Sequence, residues 1–360
     1  MPIYGHEGHE GHEGHEGHEG HEGSASGSGS SAGAVSSALG STRDGTLGYW
    51  DGYPDRTSRV VGRSAWDTVK SLATVPRQAV IDQTIQGLFR VEFKNSRKAN
   101  TKGTVYFQGE PLVTMYAPTL KIIKEDQFPF LRSAADLRYD RLNEILVETG
   151  DIATFFSSVS YLSPGATKWT IALLQAVFRL CTRVEMPVKL GFDVPRPITL
   201  SYQVQPIIQT PGHPAWPSGH ATESFAGATL LNWLVRDPNG KNAPKFDPDA
   251  LIAAQVPLYR QSERIAINRT VAGVHYPTDS MAGAVLGVTM VEALVNLMEG
   301  KKETTARTYF GNRYKGDFNL SLLSAEMQPG GTIKQKPLAI DPKGVPDWLQ
   351  DMWDTAKHEG

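Results

Sequence analysis

Four histidines lie outside an N-terminal His-Glu-Gly repeat: His213, His220, His275 and His358. Three of them sit in short segments that also hold Lys, Arg or Ser. The first such segment runs Lys189-Leu-Gly-Phe-Asp-Val-Pro-Arg196-Pro197. It reads as a loop stiffened by proline, on which a compact ammonium and a planar guanidinium fork can clamp a tetrahedral oxyanion together. Taken alone, a surface Lys and a structural Arg are the favoured explanation.

The second segment is His213-Pro-Ala-Trp-Pro217-Ser218-Gly219-His220, followed at once by a helical pattern. Ser218 and Gly219 then fall at a helix start, where unsatisfied N–H groups and the positive end of the dipole favour an anion. Ser218 also suits a plain N-cap. His220, one position further, faces the same anion and is of the type that exchanges protons near neutral pH. The third segment, Arg269-Thr-Val-Ala-Gly-Val-His275-Tyr-Pro-Thr-Asp279, closes one helix and opens the next. Arg269 adds another fork, His275 a nitrogen ligand or nucleophile, and Asp279 a carboxylate to orient the imidazole. A histidine satisfied at a helix terminus is the bland alternative for His275. At about one in twenty per fixed position, Pro-Ser-Gly-His alone arises by chance ~0.002 times in such a chain. The three segments occurring together within about ninety residues therefore read as one site.

Lys-x6-Arg-Pro, Pro-Ser-Gly-His and Arg-x5-His-x3-Asp resemble the signature of the superfamily shared by vanadium haloperoxidases and type 2 phosphatidic acid phosphatases. The resemblance implies a helical bundle whose helix ends and loops meet around an anion. Within it, Lys189, Arg196, Ser218, Gly219, His220 and Arg269 would hold vanadate, and His275 would bond the metal. Lys189, His220, His213 and Asp279 would serve turnover. One departure is Asn268, where many phosphatases of the superfamily carry Ser before the Arg.

His213, seven residues before His220, is similar to the arrangement in algal bromoperoxidases. This context favours a vanadate-dependent enzyme that uses hydrogen peroxide to oxidise halide, bromide and iodide before chloride, and so halogenates a small organic acceptor. Two alternatives stay open. In a soluble acid phosphatase, His275 would be the nucleophile and His220 the general acid; in a non-catalytic oxyanion-binding protein the same donors would only retain the ligand.

The elements that position these residues follow from periodicity. With 40% hydrophobic and 21% charged residues, 360 residues suffice for a sizeable core. Residues 1–41 read as a tag and flexible linker, 42–133 as an irregular region with a hairpin around Thr104 to Met115, and 134–300 as a mainly α helical-bundle core. Residues 301–360 read as an extended arm, because Pro329, Gly330, Gly331, Pro337, Pro342 and Pro346 interrupt any helix. Core helices are predicted at Ala134–Glu148, Ile152–Leu162, Lys168–Val184, Ser218–Val235, Asp249–Ala272 and Thr278–Met298. The prolines between the third and fourth predict an irregular loop.

The apolar run Met281 to Met298 carries Glu292 and Asn296, which predicts a buried bundle helix in place of a membrane span. Without the six Glu of the repeat the formal charge of -2 becomes about +4, too mild to argue for nucleic acid. Cys181 is the only cysteine, so no disulfide framework can form within the chain. The arm is expected to wrap the core or a neighbouring subunit, pointing to a homo-oligomer.

Overall fold

The computed structural model describes residues 32–46, 52, 53, 62–94, 99–235 and 246–359; the repeat at residues 6–23 lies outside them. The described residues are mainly helical, with one five-stranded sheet among them. Three helices come first: α1 (Ala32–Thr46), α2 (Ala65–Ser71) and α3 (Thr74–Gln86). The first corrects the flexible-linker expectation, since the linker's Ala and Ser positions run into a regular, solvent-exposed helix.

Three strands follow as an antiparallel meander, β1 (Phe89–Phe93), β2 (Lys102–Phe107) and β3 (Glu110–Tyr116). The hairpin expected around Thr104 to Met115 is the β2–β3 pair. Its two-residue turn places Gln108 and Gly109 at φ +50° and +87°, the left-handed pair that matches strand twist. The region is more regular than expected because Val105, Phe107, Leu112, Val113 and Met115 bury their side chains on the helical core.

A short α4 (Leu120–Ile122) passes through a π turn, Ile123–Gln127, into α5 (Phe128–Ala134), and then come α6 (Arg138–Glu148) and α7 (Ala153–Ser157). The last is shorter than its predicted span. Ser157 and Ser158 turn their hydroxyls back onto the carbonyls of Thr154 and Phe155, competing with helix continuation. Next, α8 (Lys168–Phe192) outruns its predicted end and continues through Pro187. Burial of Val188 and Phe192 offsets the missing hydrogen bond, which typically costs ~3 kcal/mol.

After α9 (Pro197–Leu200) and the irregular loop come α10 (Gly219–Leu234), α11 (Pro248–Ala253), α12 (Pro257–Val271) and α13 (Pro277–Met298). The single helix predicted over Asp249–Ala272 is two, because Pro257 keeps Val256 extended and Gln255 turns left-handed at φ +51°.

At the centre α10 packs on α13, with α8 and α12 also against α10. All of α13 is buried, which is why it is apolar all round although long enough to cross a membrane. Glycines set the closeness of the central pair. A Cβ at Gly283 would stand 2.6 Å from the Ser218 carbonyl oxygen, and one at Gly287 2.2 Å from that of Thr222.

The expectation of an extended arm needs correction. Residues after Gly300 form β4 (Glu303–Phe310), α14 (Leu320–Glu326), β5 (Ile333–Ala339) and α15 (Asp347–Lys357). The prolines fall between elements or, as Pro337, on an edge strand, where no ladder bond is lost. Strand β4 pairs parallel with β3 and antiparallel with β5, completing the order β1-β2-β3-β4-β5. Helix α15 buries Leu349, Met352, Trp353 and Ala356 on the core. Beyond it, the Glu359 carboxylate accepts from the Trp169 and Thr170 amides at 2.9 and 2.8 Å, capping α8. The arm thus closes on its own chain.

Replacement Gly287→Ala should destabilise the fold by about 1–3 kcal/mol, since the neighbour it meets is backbone and cannot turn away. Urea unfolding checks this, and an unchanged midpoint would show that α10 and α13 tolerate a wider separation.

Candidate active site

Helix ends deliver the three cationic side chains. Lys189 lies in the last turn of α8, not on the loop expected from its prolines, because the helix extends past Pro187. Fully buried, its Nζ donates to the Pro217 carbonyl at 2.5 Å. Arg196 occupies the following loop and stands just before α9. Its Nε donates to the His213 carbonyl and its Nη1 to the Val274 carbonyl, both at 2.9 Å. Those bonds fix the guanidinium plane between two loops. Arg269 arrives from the last turn of α12, fully buried, with Nη2 bonded to the Glu148 carboxylate and 3.3 Å from the Ile145 carbonyl.

Ser218 is the N-cap of α10, and its Oγ accepts from the Ala221 amide at 3.4 Å. Both the N-cap and the anion-site expectations therefore describe the same helix start. The Ser218 amide donates to the Asp279 carbonyl at 3.0 Å, tying the N-terminus of α10 to that of α13. Gly219 and His220 form the first turn, where orphan amides concentrate positive potential.

His275 precedes α13 by two residues, and Asp279 lies in its first turn. Asp279 Oδ2 accepts from His275 Nδ1 at 2.8 Å and from the Tyr276 amide at 3.0 Å. With the proton held on Nδ1, His275 Nε2 presents its lone pair, 2.9 Å from Arg196 Nη1. His220 Nε2 donates to the Glu148 carbonyl at 2.9 Å and lies 3.3 Å from Arg269 Nη1. Half-buried His213 approaches Arg196 Nη2 through Nδ1 at 3.2 Å.

Lys189 and Ser218 are joined through the Pro217 carbonyl and its neighbour, Arg196 with His213 and His275, and Arg269 with His220. Each sequence-predicted residue thus sits in one connected set around the α10 N-terminus. Trp216 is fully buried in the core, edge-on to Phe192 at 4.8 Å and stacked with Tyr309 at 6.2 Å.

Glu148, the last residue of α6, was not legible as the partner of Arg269. No motif surrounds it, and only the packing of α6 on α12 brings the two together. Burial pushes its carboxyl from 4.5 up to about 7, against the lowering pull of Arg269 and of the Asn268 hydrogen bond. Arg138 also escaped sequence reading. It bonds the carbonyls of Val204, Gln205 and Val271, pinning the irregular loop to the end of α12.

The set contains three buried cations and a helix N-terminus, donor types that suit a tetrahedral oxyanion, and the buried Arg269 Nε has no hydrogen-bond partner among the described residues. No group of three or more metal-ligating side chains occurs among the described residues.

Residues 168–303, from the start of α8 to the start of β4, are similar to the PAP2 superfamily. The superfamily includes phosphatases and vanadium haloperoxidases. A more particular similarity is to the vanadium-dependent bromoperoxidase of Ascophyllum nodosum, 30% identical over 111 residues. That alignment covers 27% of this chain and 20% of the bromoperoxidase, so the chain spans about a fifth of that relative's length.

Glu148 gives a pH signature. Its raised pKa means that the folded chain keeps a proton which the unfolded chain begins to release near 4.5. Its contribution to stability should therefore fall as pH rises from about 4.5 to about 7 and level off above. Urea unfolding across that window should fall more steeply for the wild type than for Glu148→Gln. Parallel curves would mean that the carboxyl titrates alike in both states.

Proposed function

We propose that this protein is a vanadate-dependent haloperoxidase that uses hydrogen peroxide to oxidise halide to hypohalous acid, and thereby halogenates a small organic acceptor. The observation that carries the reading is His213 hydrogen-bonded to Arg196, whose other nitrogen meets the His275 Nε2 lone pair. An imidazole thus stands beside an oxyanion cage of three cations.

The donors fit vanadate as they fit phosphate, because they recognise tetrahedral shape and charge. Vanadate, when bound, supplies a Lewis-acidic centre that activates peroxide. Lys189, Arg196 and Arg269 neutralise negative charge on the oxygens, and burial strengthens each interaction by excluding water. The Ser218 hydroxyl and the Gly219 end of α10 complete the cradle. His275 Nε2 would be the protein's ligand to the metal, while Asp279 holds the Nδ1 proton and the ring orientation. His220 moves protons to and from the oxyanion.

His213 underlies the halide preference. Chloride is the hardest of the three halides to oxidise and needs the strongest withdrawal of charge from the oxygens. A polar imidazole beside Arg196 admits water and shares that guanidinium's hydrogen bonds, which softens the oxidant. Bromide and iodide are therefore favoured.

A second reading, a soluble acid phosphatase, is supported by the His275–Asp279 pair itself. A lone pair on Nε2 with the Nδ1 proton on a carboxylate is also how a nucleophilic imidazole is presented. His220 would then protonate the leaving alcohol. The deciding experiment loads apo-protein with vanadate and supplies peroxide, bromide and a halogen-accepting dye, beside a chromogenic phosphate ester without vanadate. Strong turnover of the ester alone would overturn the haloperoxidase reading.

His275→Ala should abolish turnover, whereas His220→Ala should retain vanadate binding better than turnover; equilibrium dialysis beside kinetics checks both. Full activity in either variant counts against that residue's role in turnover. Steady-state rates at matched pH should rank chloride well below bromide and iodide, and comparable chloride turnover would show that His213 does not set the preference.

A further inference from the structure

Asn268, fully buried on α12, bridges two elements next to the cage. Its Oδ1 accepts from Arg141 Nη1 at 2.9 Å, and its Nδ2 donates to Glu148 Oε1 at 2.6 Å. The amide orientation follows from chemistry, because a guanidinium only donates and must face the oxygen. Glu148 thereby has both oxygens occupied, Oε1 by Asn268 and Oε2 by Arg269 Nη2. Its main-chain carbonyl accepts from His220.

We propose that Asn268 is a positioning residue for the oxyanion cage, acting on Arg269 through the orientation and ionisation of Glu148. The inference rests on the cage reading, common to both functions above, and concerns a residue outside the anion-binding motifs. Adjacent residues on a helix point about 100° apart, so Arg269 reaches the cage while Asn268 reaches α6. A serine at this position has one oxygen on a short stem and cannot span both partners. The bridge continues outward: Arg141 Nε lies 3.5 Å from Glu144, which holds Arg264 through two bonds of 2.7 and 2.9 Å. The cage is thus braced from the α6–α12 surface inward.

The groups facing Glu148 are Arg269 and Asn268 from α12, Glu144 from α6 and His220 from α10. Burial and Glu144 favour its neutral form, while Arg269 and Asn268 favour the ionised one. Loss of the amide donor tips Glu148 toward the neutral acid. A neutral acid binds Arg269 less firmly, and the fork loses its fixed plane.

The test uses Asn268→Asp, which keeps the shape and the acceptor for Arg141 but loses the donor, and Asn268→Leu, which loses both. Binding of inorganic phosphate to the full-length apo-protein is measured by calorimetry, with and without Glu148→Gln. Either Asn268 variant should weaken binding by about tenfold or more when Glu148 is intact. When combined with Glu148→Gln the further loss should be less than about twofold, because the pathway is already cut. Equal losses with and without Glu148→Gln would make Asn268 merely structural and overturn the proposal.

A second readout needs no ligand: the carboxyl carbon resonance of Glu148, assigned with Glu148→Gln, followed against pH. Its midpoint should move upward in both Asn268 variants. An unmoved midpoint overturns the proposal, whereas a wild type that binds neither phosphate nor vanadate overturns the cage reading instead.

Discussion

Three positive charges buried within one small region are the constraint to which the rest of the structure answers. Lys189, Arg196 and Arg269 are almost wholly removed from water, and a buried cation without compensation is strongly unfavourable. Backbone carbonyls at segment ends supply part of that compensation: Pro217 for Lys189, His213 and Val274 for Arg196, and Ile145 for Arg269. Arg269 is further paired with the Glu148 carboxylate. Carbonyl dipoles orient a cation without cancelling its charge.

Holding those carbonyls in place requires the central helices to meet very closely. Gly283 and Gly287 let α13 lie against the backbone of α10. The Ser218 amide can then reach the Asp279 carbonyl, while the side chain of Asp279 turns to His275. One residue therefore links the start of α10 to the imidazole. The closeness of α8 has a similar cause, since Gly227 of α10 faces Phe178 and Leu174 at contact distance.

The C-terminal segment steadies this arrangement from the opposite end of α8. Glu359 caps its first turn, and Glu299, just past α13, accepts from Trp233, Trp353 and Lys357. On the sheet side, buried Arg307 of β4 bonds Glu292 of α13 and Asp249 of α11. The two polar residues that argued against a membrane span thus have partners in the fold: Glu292 with Arg307, and Asn296 with Thr304.

Much of the candidate site's local geometry could be read from sequence because its residues occur as short local motifs. Ser218 before a helix and His275 four residues from Asp279 already imply a capped helix end and an oriented imidazole, with no knowledge of distant contacts. The long helices were legible through their apolar runs, and the β2–β3 hairpin through its Gln-Gly turn. Where local patterns misled, long-range packing had overridden local preference. Burial carried α8 through Pro187 and placed Lys189 on a helix, and pairing with β3 turned the expected arm into β4 and β5. Glu148 shows the limit most plainly. Its partner Arg269 is 121 residues away and no pattern marks the pair, so only the docking of α6 on α12 decided which carboxylate would balance that buried charge.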